Sequence, residues 1–318
     1  MDKIGSVANS FRIGIVPVPG FALLSYSCTV EPFRAANLLG RGDLYKVSHF
    51  SHAGTVQSSG AAEISKDMQI GEEPDLDLLL VIAGGDPMSL RDPALFRWLG
   101  RMARRGVTLG GVSGGPAILA RAGLMQDRRM TVHWEHAPAL TEVDPNLMIE
   151  RRLYVIDRDR VTCGGGTAPL DLAHALITKH HGALFARLVS DWFLHTDVRP
   201  AADPQRGGLV ERVGTTAPPV LNAVAAMEDH IADPLSLDEL ADLAGVTPRQ
   251  LNRVFREKTG ESTMRYYRQL RLETGHNLLR NSSLSLTNIA FATGFASSSN
   301  FTRAFADLYG APPSRFRR

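Results

Sequence analysis

The sequence predicts a protein of two domains, an α/β three-layer sandwich followed by an all-α domain with two helix-turn-helix units. Three observations support this prediction. Strand-like apolar runs alternate with helix-like runs over residues 1–195, a pattern typical of a mainly parallel sheet covered by helices. A helix-turn-helix pattern then occurs twice near the C-terminus, in register with itself. Positive charge is concentrated on that repeated part of the chain.

The composition indicates a soluble globular protein. A chain of 318 residues can form two separate cores, and 44% hydrophobic with 21% charged residues is ordinary for this class. The N-terminal sequence has no apolar signal region, and no uncharged apolar run is long enough to cross a bilayer, so we expect a cytoplasmic protein without a membrane segment. Cys28 and Cys163 fall in helix-like and strand-like patterns, which predicts buried thiols. We expect no metal site and no cofactor, because the histidines lack ligand spacing.

The first domain begins with an apolar strand at 11–18, followed by a helix at 26–39. The run at 76–83 is continuously apolar, as expected of a strand that is buried on both faces. The further predicted elements are a helix at 93–105, a strand at 107–112, a helix at 116–122, a strand at 159–163 and a helix at 171–177.

The sequence GGVSGG at 110–115 fits the G-x-S-x-G pattern of a nucleophile elbow, in which a strand turns directly into a helix. In such a turn Ser113 would project above the sheet beside backbone amides at the helix start. Taken alone, the pattern is compatible with a serine hydrolase, but it fits a glycine-rich tight turn at least as well. A hydrolase needs a base, and no spacing assigns that role to any histidine after the elbow, namely His133, His136, His174, His180, His181 and His195.

The first helix-turn-helix unit has clear start and stop signals. Ser236 and Glu239 form a capping box, and Gly245 ends the helix because it can adopt positive φ. Thr247, followed by a proline and by Gln250, begins the second helix. The outer face of that helix can reach base edges and phosphates in a major groove. Its candidate DNA-contacting residues are Arg249, Gln250, Asn252, Arg253 and Arg256.

The same pattern recurs about 50 residues later. Leu286, Ile289, Ala290 and Gly294 repeat Leu237, Leu240, Ala241 and Gly245, and Phe301, Arg303, Phe305 and Gly310 repeat Leu251, Arg253, Phe255 and Gly260. The second outer face carries one charge where the first carries three, so we expect the first helix to read bases and the second mainly to position the protein. The candidate DNA-contacting residues here are Ser298, Ser299, Asn300, Thr302 and Arg303.

Charge supports a double-stranded DNA partner. Residues 247–318 contain 12 Lys and Arg against four acidic residues, whereas residues 217–246 contain six acidic residues and no Lys or Arg. A basic region that coincides with the outer helix faces favours a polyanion. A plain helical bundle with exposed arginines is the alternative, which two capped units in register make less favourable.

These residues resemble the DNA-binding domain of the AraC/XylS family of transcription regulators, over residues 218–318. The motifs that carry the resemblance are Ile289-Ala290, Gly294-Phe295, Asn300-Phe301, Arg303-Ala304-Phe305, Tyr309-Gly310 and the closing Pro313-Ser314-Arg315-Phe316-Arg317. The resemblance implies that a long helix, here 262–280, joins the two units. It also implies that the units enter successive major-groove segments on one face of the DNA.

The elbow region resembles the flavodoxin-like ThiJ/PfpI, or class I amidotransferase-like, domain, over residues 11–195. The resemblance rests on LGGVSGGPAILARAGL, on TVHW at 131–134 and on CGGGTAPLDLAHALI at 163–177, and it is narrowest to the version fused to AraC-type domains, the GlxA type. Enzymes of this superfamily have an elbow cysteine, often followed by histidine, with an acid from the first helix nearby. Here these positions are Ser113, Gly114 and Glu31. A hydroxyl is far less acidic than a thiol and needs a base to become a nucleophile, so this departure from the enzymes' pattern favours a sensor without catalytic residues.

The elbow is therefore predicted to bind a small polar effector. Helix-start amides at Ser113 and Gly114 suit an anion and Glu31 suits an ammonium group, a combination that favours a zwitterion. Aromatic faces attract ammonium groups, although each ring singly is also ordinary core. The residues 30–47 resemble regulators of amine and amino-acid catabolism, which suggests a quaternary amine or amino-acid derivative. The further candidate lining residues are Phe21, Tyr26, His133 and Trp134.

The predicted organisation is a sensing domain at 1–195, a Pro- and Gly-rich linker at 196–217 and a DNA-binding domain at 218–318. We expect a sequence-specific transcription regulator, an activator that works as a homodimer, with RNA polymerase as a further partner. The alternative is an amidase or hydrolase that uses Ser113 and carries an accessory DNA-binding domain.

Overall fold

The computed structural model describes residues 10–282 and 284–317, and the chain divides into two compact units between Gln205 and Arg206. Each unit has its own hydrophobic core. Within the described ranges, no helix combines the length and the apolar composition that crossing a membrane requires.

The first unit is built on a seven-stranded sheet with the order β10-β11-β7-β6-β1-β2-β5, in which β10 runs antiparallel to β11 and the other neighbours are parallel. The short strands β3 and β4 pair with each other, as do β8 and β9. The strands are β1 (Phe11–Pro17), β2 (Tyr45–Ser51), β3 (Thr55–Gln57), β4 (Glu63–Ser65), β5 (Met68–Gln69), β6 (Leu78–Ala83), β7 (Thr108–Ser113), β8 (Arg129–Met130), β9 (Met148–Ile149), β10 (Tyr154–Asp157) and β11 (Arg160–Cys163).

Helices cover both faces of this sheet, which confirms the predicted α/β fold. Successive residues of a strand point to opposite faces, and Leu78, Leu80 and Ile82 belong to the core that α1, α5 and α6 close. Leu79 and Val81 therefore face the other side, where α3 packs on β6 and β7. The helices are α1 (Leu23–Gly40), α2 (Pro93–Arg104), α3 (Gly115–Arg121), α4 (Ala137–Val143), α5 (Ala168–His181) and α6 (Ala183–Trp192).

Every strand and helix predicted for this unit is present, with ends shifted by a few residues, and α1 begins three residues before the predicted start at 26. The two cysteines are buried thiols as predicted, Cys28 on α1 and Cys163 on β11. Burial raises the pKa of both, that of Cys163 to about 12, so neither is a thiolate near neutral pH.

The second unit is helical and contains both predicted helix-turn-helix units, α9 with α10 and α12 with α13. The helix predicted to join them at 262–280 is confirmed as α11. The elements are α7 (Leu209–Val213), α8 (Pro218–Asp229), α9 (Leu237–Leu243), α10 (Pro248–Thr259), α11 (Thr263–Asn281), α12 (Leu286–Ala292), α13 (Ser298–Tyr309) and a 3-10 turn at Pro313–Arg315.

The segment at 196–217, predicted as a linker, is shared between the two units. Arg199 and Gln205 hydrogen-bond to the first unit, whereas α7 packs on α8 through the Arg212–Glu228 ion pair. These contacts reach partners 16 to 74 residues away along the chain, so local composition does not indicate them. The domain boundaries proposed from sequence stay a prediction.

Candidate nucleic-acid interface and ligand site

Ser113 lies in the strained turn that its sequence pattern predicts. It ends β7 with φ of 59°, and it is 5% exposed. Gly115 begins α3 so close to the sheet that a Cβ there would lie 1.9 Å from the carbonyl oxygen of Val81. Only glycine fits at position 115, so the geometry of the elbow requires Gly115 as much as it requires the turn at Ser113.

Three segments meet at Ser113. The backbone amide of His133 donates to the Ser113 carbonyl at 3.2 Å. The backbone of Gly165, just beyond β11, lies so close that a Cβ on it would be 2.6 Å from Ser113 Cβ. The next residue, Gly166, donates its amide to Ser25 Oγ at 2.8 Å, which brings α1 to the same edge of the sheet. Ser25 is not among the predicted site residues, because an isolated serine inside a helix gives no signal.

The aromatic candidates form two pairs. The rings of Phe21 and Tyr26 lie 5.3 Å apart, and those of His133 and Trp134 also lie 5.3 Å apart. Phe21 is fully buried and belongs to the core, whereas Trp134 is exposed. Burial, with the nearby charge of Glu31, raises the pKa of Tyr26 to about 12, so its hydroxyl stays protonated. Trp134 is the aromatic candidate that a ligand can reach most easily.

The two groups expected to recognise a zwitterion already have partners. The Gly114 amide donates to the Ala83 carbonyl at 3.0 Å, so it is not a free donor. Glu31 accepts from Arg34 Nε at 2.8 Å, and in the described part of the chain no hydrogen bond or ion pair joins Glu31 to Ser113. A charged ligand at the elbow would have to exchange these contacts for its own.

Two histidines beside the elbow are neutral at physiological pH. Burial lowers the pKa of His133 and lowers that of His136 to about 4. Their rings lie 5.8 Å apart, and His136 Nδ1 is buried with no hydrogen-bond partner among the residues that the structure describes. Among the hydrogen bonds of the described residues, none joins Ser113 Oγ to a histidine ring, although a serine nucleophile requires such a base.

Gln205, the last residue of the first unit, is held beside the same loop. Its Nε2 donates to Thr131 Oγ1 at 2.8 Å and to the carbonyls of Val132 and Arg152 at 2.9 and 2.7 Å. Its Oε1 accepts from the Trp134 amide at 2.8 Å. The side chain thus connects the loop that carries two ligand candidates to the chain entering the second unit.

A buried carboxylate fixes the segment before Gln205. Asp171 is fully buried and accepts from His195 Nε2 at 2.8 Å and from Arg199 Nη2 at 2.7 Å. The backbone amide of Arg199 donates to the same carboxylate at 2.9 Å. No local pattern indicates this cluster, since Asp171 comes from α5, His195 from the end of the predicted sensing domain and Arg199 from the predicted linker. Over the described residues, no group of three His, Cys, Asp or Glu side chains could hold a metal ion.

The recognition-helix candidate α10 begins as its sequence predicts. Thr247 caps it, the Gln250 amide donates to Thr247 Oγ1 at 3.3 Å, and Gln250 Oε1 accepts from the Thr247 amide at 3.0 Å. Asn252 Oδ1 accepts from the Thr263 amide at 3.1 Å and so ties α10 to the start of α11. Two of the five candidates on this helix, Gln250 and Asn252, therefore have structural partners.

The other three candidates, Arg249, Arg253 and Arg256, are exposed, and no ion pair engages their guanidinium groups within the described residues. Leu251 and Phe255 are fully buried on the opposite side of α10. An apolar face thus anchors the helix while three exposed guanidinium groups, which form no ion pair among the described residues, point away from the core. This arrangement suits contact with phosphates and base edges.

The corresponding helix α13 presents a less charged face. Ser297 Oγ caps it by accepting from the Asn300 amide at 3.2 Å, and Arg303 Nη2 donates to Asn300 Oδ1 at 3.3 Å. Ser299 is exposed, whereas the other two candidates, Ser298 and Thr302, are half-buried. The exposed face of α10 therefore carries three arginines and that of α13 carries one, as the sequence predicts.

The two helix-turn-helix units are fixed to each other. Arg271 on α11 donates to the carbonyls of Thr293 and Gly294 at 2.8 and 2.7 Å, and its guanidinium lies 4.4 Å from the centre of the Phe295 ring. Gly294, with φ of 70°, packs so closely that a Cβ would be 2.4 Å from Pro234, in the loop before α9. The repeat indicates Gly294 only as a turn residue and gives no sign of the Arg271 contact. The spacing of α10 and α13 is therefore set by the protein.

Models of two protein families match different parts of the chain. A model of the DJ-1/PfpI family matches residues 15–179, and a model described as a helix-turn-helix domain matches residues 240–318.

Individual proteins are similar to the chain over all or part of its length. The chain is 44% identical over 98% of its length to the HTH-type transcriptional regulator GlxA of Rhizobium meliloti, covering 96% of that protein. It is 38% identical over 94% of its length to the HTH-type transcriptional regulator CdhR of Pseudomonas aeruginosa, covering 89% of it. A crystal structure of an AraC family transcriptional regulator from Pseudomonas putida matches 57% of the chain and 99% of its own, with 27% identity and a TM-score of 0.52.

Proposed function

The chain belongs to the HTH-type transcriptional regulators that join a DJ-1/PfpI domain to a helix-turn-helix domain, and from that membership we propose how it is regulated. The protein is a DNA-binding transcription regulator. It activates transcription in the cytoplasm, binds a small polar metabolite in its first unit and works as a homodimer, with RNA polymerase as a further partner. One observation supports assigning DNA binding to particular residues: three exposed arginines on the outer face of α10 form no ion pair within the described part of the chain.

Arg249 and Arg253 read bases in this proposal, and Arg256 contacts the phosphate backbone. Arginine donates two parallel hydrogen bonds to guanine in the major groove, and the first residues of a recognition helix lie nearest to the base edges. Arg303 on α13 contacts either bases or backbone, because its neighbours on that face are uncharged.

The effector site lies around Ser113, where α1, β7 and the loop after β11 meet. Ligands of parallel α/β sheets bind at the carboxyl ends of the strands, which is where the elbow lies. The exposed ring of Trp134, next to His133, offers a face for a quaternary amine or an amino-acid derivative. Glu31 would take part only after release from Arg34.

The hydrolase alternative is less well supported. Ser113 is buried, and no histidine ring hydrogen-bonds its Oγ in the described part of the chain, so the group that would activate a nucleophile is missing. The relatives are named as transcriptional regulators. We therefore propose that the protein is not an enzyme and that Ser113 is a ligand contact.

Gln205 provides a route from the effector site towards the second unit. Its amide binds the loop of Val132 and Trp134, and the next residue, Arg206, begins the second unit. A ligand that moves this loop would break these hydrogen bonds, and a ligand that holds the loop in its present position would preserve them. The ligand would then shift the equilibrium between two states of the regulator, and the size of that shift is set by the difference between its affinities for the two states.

A thermal-shift screen with amino acids, betaines and polyamines tests the effector site. A ligand at 100 times its Kd stabilises the folded state by about 2.7 kcal/mol and raises the melting temperature. We expect Ser113→Ala to reduce the shift of any hit, because a hydroxyl contact is lost, while Ser65→Ala, an exposed serine on β4, leaves it unchanged.

A hit that Ser113→Ala and Glu31→Ala both leave unaffected would place the effector elsewhere. Steady product formation from an amide or ester that disappears in Ser113→Ala would instead decide for the hydrolase.

A further inference from the structure

The outer face of α6 is unusually apolar. Leu184, Leu188 and Trp192 are spaced four residues apart, so they form one stripe along the helix, and they are 87%, 59% and 51% exposed. Leu194, just after the helix, is 86% exposed. We refer to these four residues as the α6 stripe.

The opposite face of α6 is also apolar, since Ala186 and Val189 are buried against the core of the first unit. The exposed side of the helix thus carries a stripe of large apolar side chains beside the charged Arg187 and Asp191, which is more apolar surface than an ordinary surface helix exposes. Single exposed leucines need no explanation, but a contiguous set of large apolar side chains marks an interaction surface. Leu194 has φ of 56° in the turn that ends the helix, where its amide donates to the Asp191 carbonyl and the His195 amide donates to the Ser190 carbonyl.

The charges beside the stripe indicate what covers it. Arg187 Nε and Asp191 Oδ1 lie 3.0 Å apart, one helical turn from each other, and both side chains are about half exposed. If a second copy of α6 packs antiparallel across a two-fold axis level with residue 189, Leu184 of one copy faces Leu194 of the other, and Leu188 lies close to Trp192 of the other. Arg187 then lies close to Asp191 of the other copy, twice in the interface. The surface is thus complementary to itself in both apolar shape and charge, as a two-fold interface requires.

We propose that the α6 stripe is the surface through which two copies of this chain associate, with the two α6 helices antiparallel. This inference rests on the homodimer of the proposed function and assigns it a place. A stable interface buries about 800 Å² on each partner, more than one short helix provides. The neighbouring helix α1 can supply the rest, because it packs on α6, where a Cβ on Gly40 would lie 3.4 Å from Phe185 Cζ, and because Leu38 on the same helix is exposed.

Sedimentation of the full-length protein tests the surface. The wild type is expected to be a dimer at micromolar concentration. The double variant Leu184→Glu with Leu188→Glu places two carboxylates in the apolar centre of the interface. We therefore expect the dimer dissociation constant to rise at least about tenfold, and the variant to be a monomer at the same concentration. Both positions face solvent in the single chain, so the variant should fold, which circular dichroism checks. Val143→Glu, at a valine that is 57% exposed on α4, is the matched control and should remain a dimer.

A charge-reversal mixture tests the antiparallel pairing. Arg187→Glu alone and Asp191→Arg alone each place like charges opposite each other in the homodimer and should weaken it, by several-fold to about tenfold. Mixed together, the two variants should form a heterodimer of wild-type strength. In that heterodimer the introduced glutamate of one copy faces the introduced arginine of the other, and the native Asp191 faces the native Arg187. A contact confined to one chain cannot produce this rescue.

Three results would overturn the inference in distinguishable ways. If the wild type is a dimer and the Leu184→Glu and Leu188→Glu variant is also a dimer, the interface lies elsewhere and the proposed homodimer stands. If the wild type is a monomer, both the homodimer and this surface are wrong. If the wild type is a monomer and the double variant changes affinity for DNA, the stripe covers a part of its own chain.

Discussion

Replacing Arg249 by alanine is expected to weaken binding to the cognate DNA site by about 1–3 kcal/mol, roughly 5- to 150-fold, and replacing Arg253 should do the same. Both guanidinium groups are exposed and without an ion pair among the described residues, so nothing within the unit compensates for their loss. The site is first obtained by selection from random duplexes, and each variant is then titrated at fixed salt concentration.

The discriminating readout is specificity. Loss of a base contact relaxes the preference at one position of the site, whereas loss of a phosphate contact weakens all sequences alike and lowers the salt dependence. Arg97→Ala, on the exposed side of α2, removes the same charge from the other unit and should leave both affinity and preference unchanged. If Arg249→Ala and Arg253→Ala bind the selected site like the wild type, α10 is not the recognition helix.

Gly115→Ala is expected to destabilise the first unit by about 3 kcal/mol or more, the upper range for inserting atoms into a packed core. The added Cβ would lie 1.9 Å from the carbonyl oxygen of Val81 and 2.8 Å from its carbonyl carbon. These are backbone atoms of the central strand β6, so they cannot rotate away, and α3 must separate from the sheet. Effector binding at Ser113 should be lost with the geometry of the turn.

Gly100→Ala is the matched control, since it adds the same methyl group inside α2, where the nearest atom is Arg104 Nη1 at 3.6 Å. Alanine also favours helix, so this variant should be neutral or more stable by up to about 1 kcal/mol. Thermal denaturation followed in both variants checks the difference. Equal melting temperatures would show that the elbow does not require the close packing of α3 on β6.

Much of the fold could be predicted from local sequence signals. The capping boxes at Ser236 and Thr247, the turn at Gly245 and the repeat at 286–310 are all present, because each depends on residues within a few positions of one another. The strand β6 was recognisable because a strand buried on both faces is continuously apolar. In contrast, α6 was not assigned, since apolar residues on two faces blur its helical period.

The candidate sites were predictable only in part. The elbow at Ser113 and the arginines of α10 follow from short motifs, and both lie where those motifs place them. Asp171, Arg271 and Gln205 were missed because their partners are distant in sequence. A predicted role that requires a free hydrogen-bonding group cannot be judged from sequence. The amide of Gly114, for example, is already bound by the Ala83 carbonyl, which belongs to another strand.

Hydroxyl-radical footprinting of the full-length protein on its selected site shows whether both helix-turn-helix units bind DNA at once. If α10 and α13 enter the DNA together, each DNA-binding unit protects two segments on one face of the duplex, about one helical turn or 10 base pairs apart. Arg271 and the packing of Gly294 on Pro234 fix this spacing, so it should not vary between sites. Protection of only one segment by each copy of the helical C-terminal domain would contradict this mode of binding, because one of its two helix-turn-helix units would then not engage the DNA.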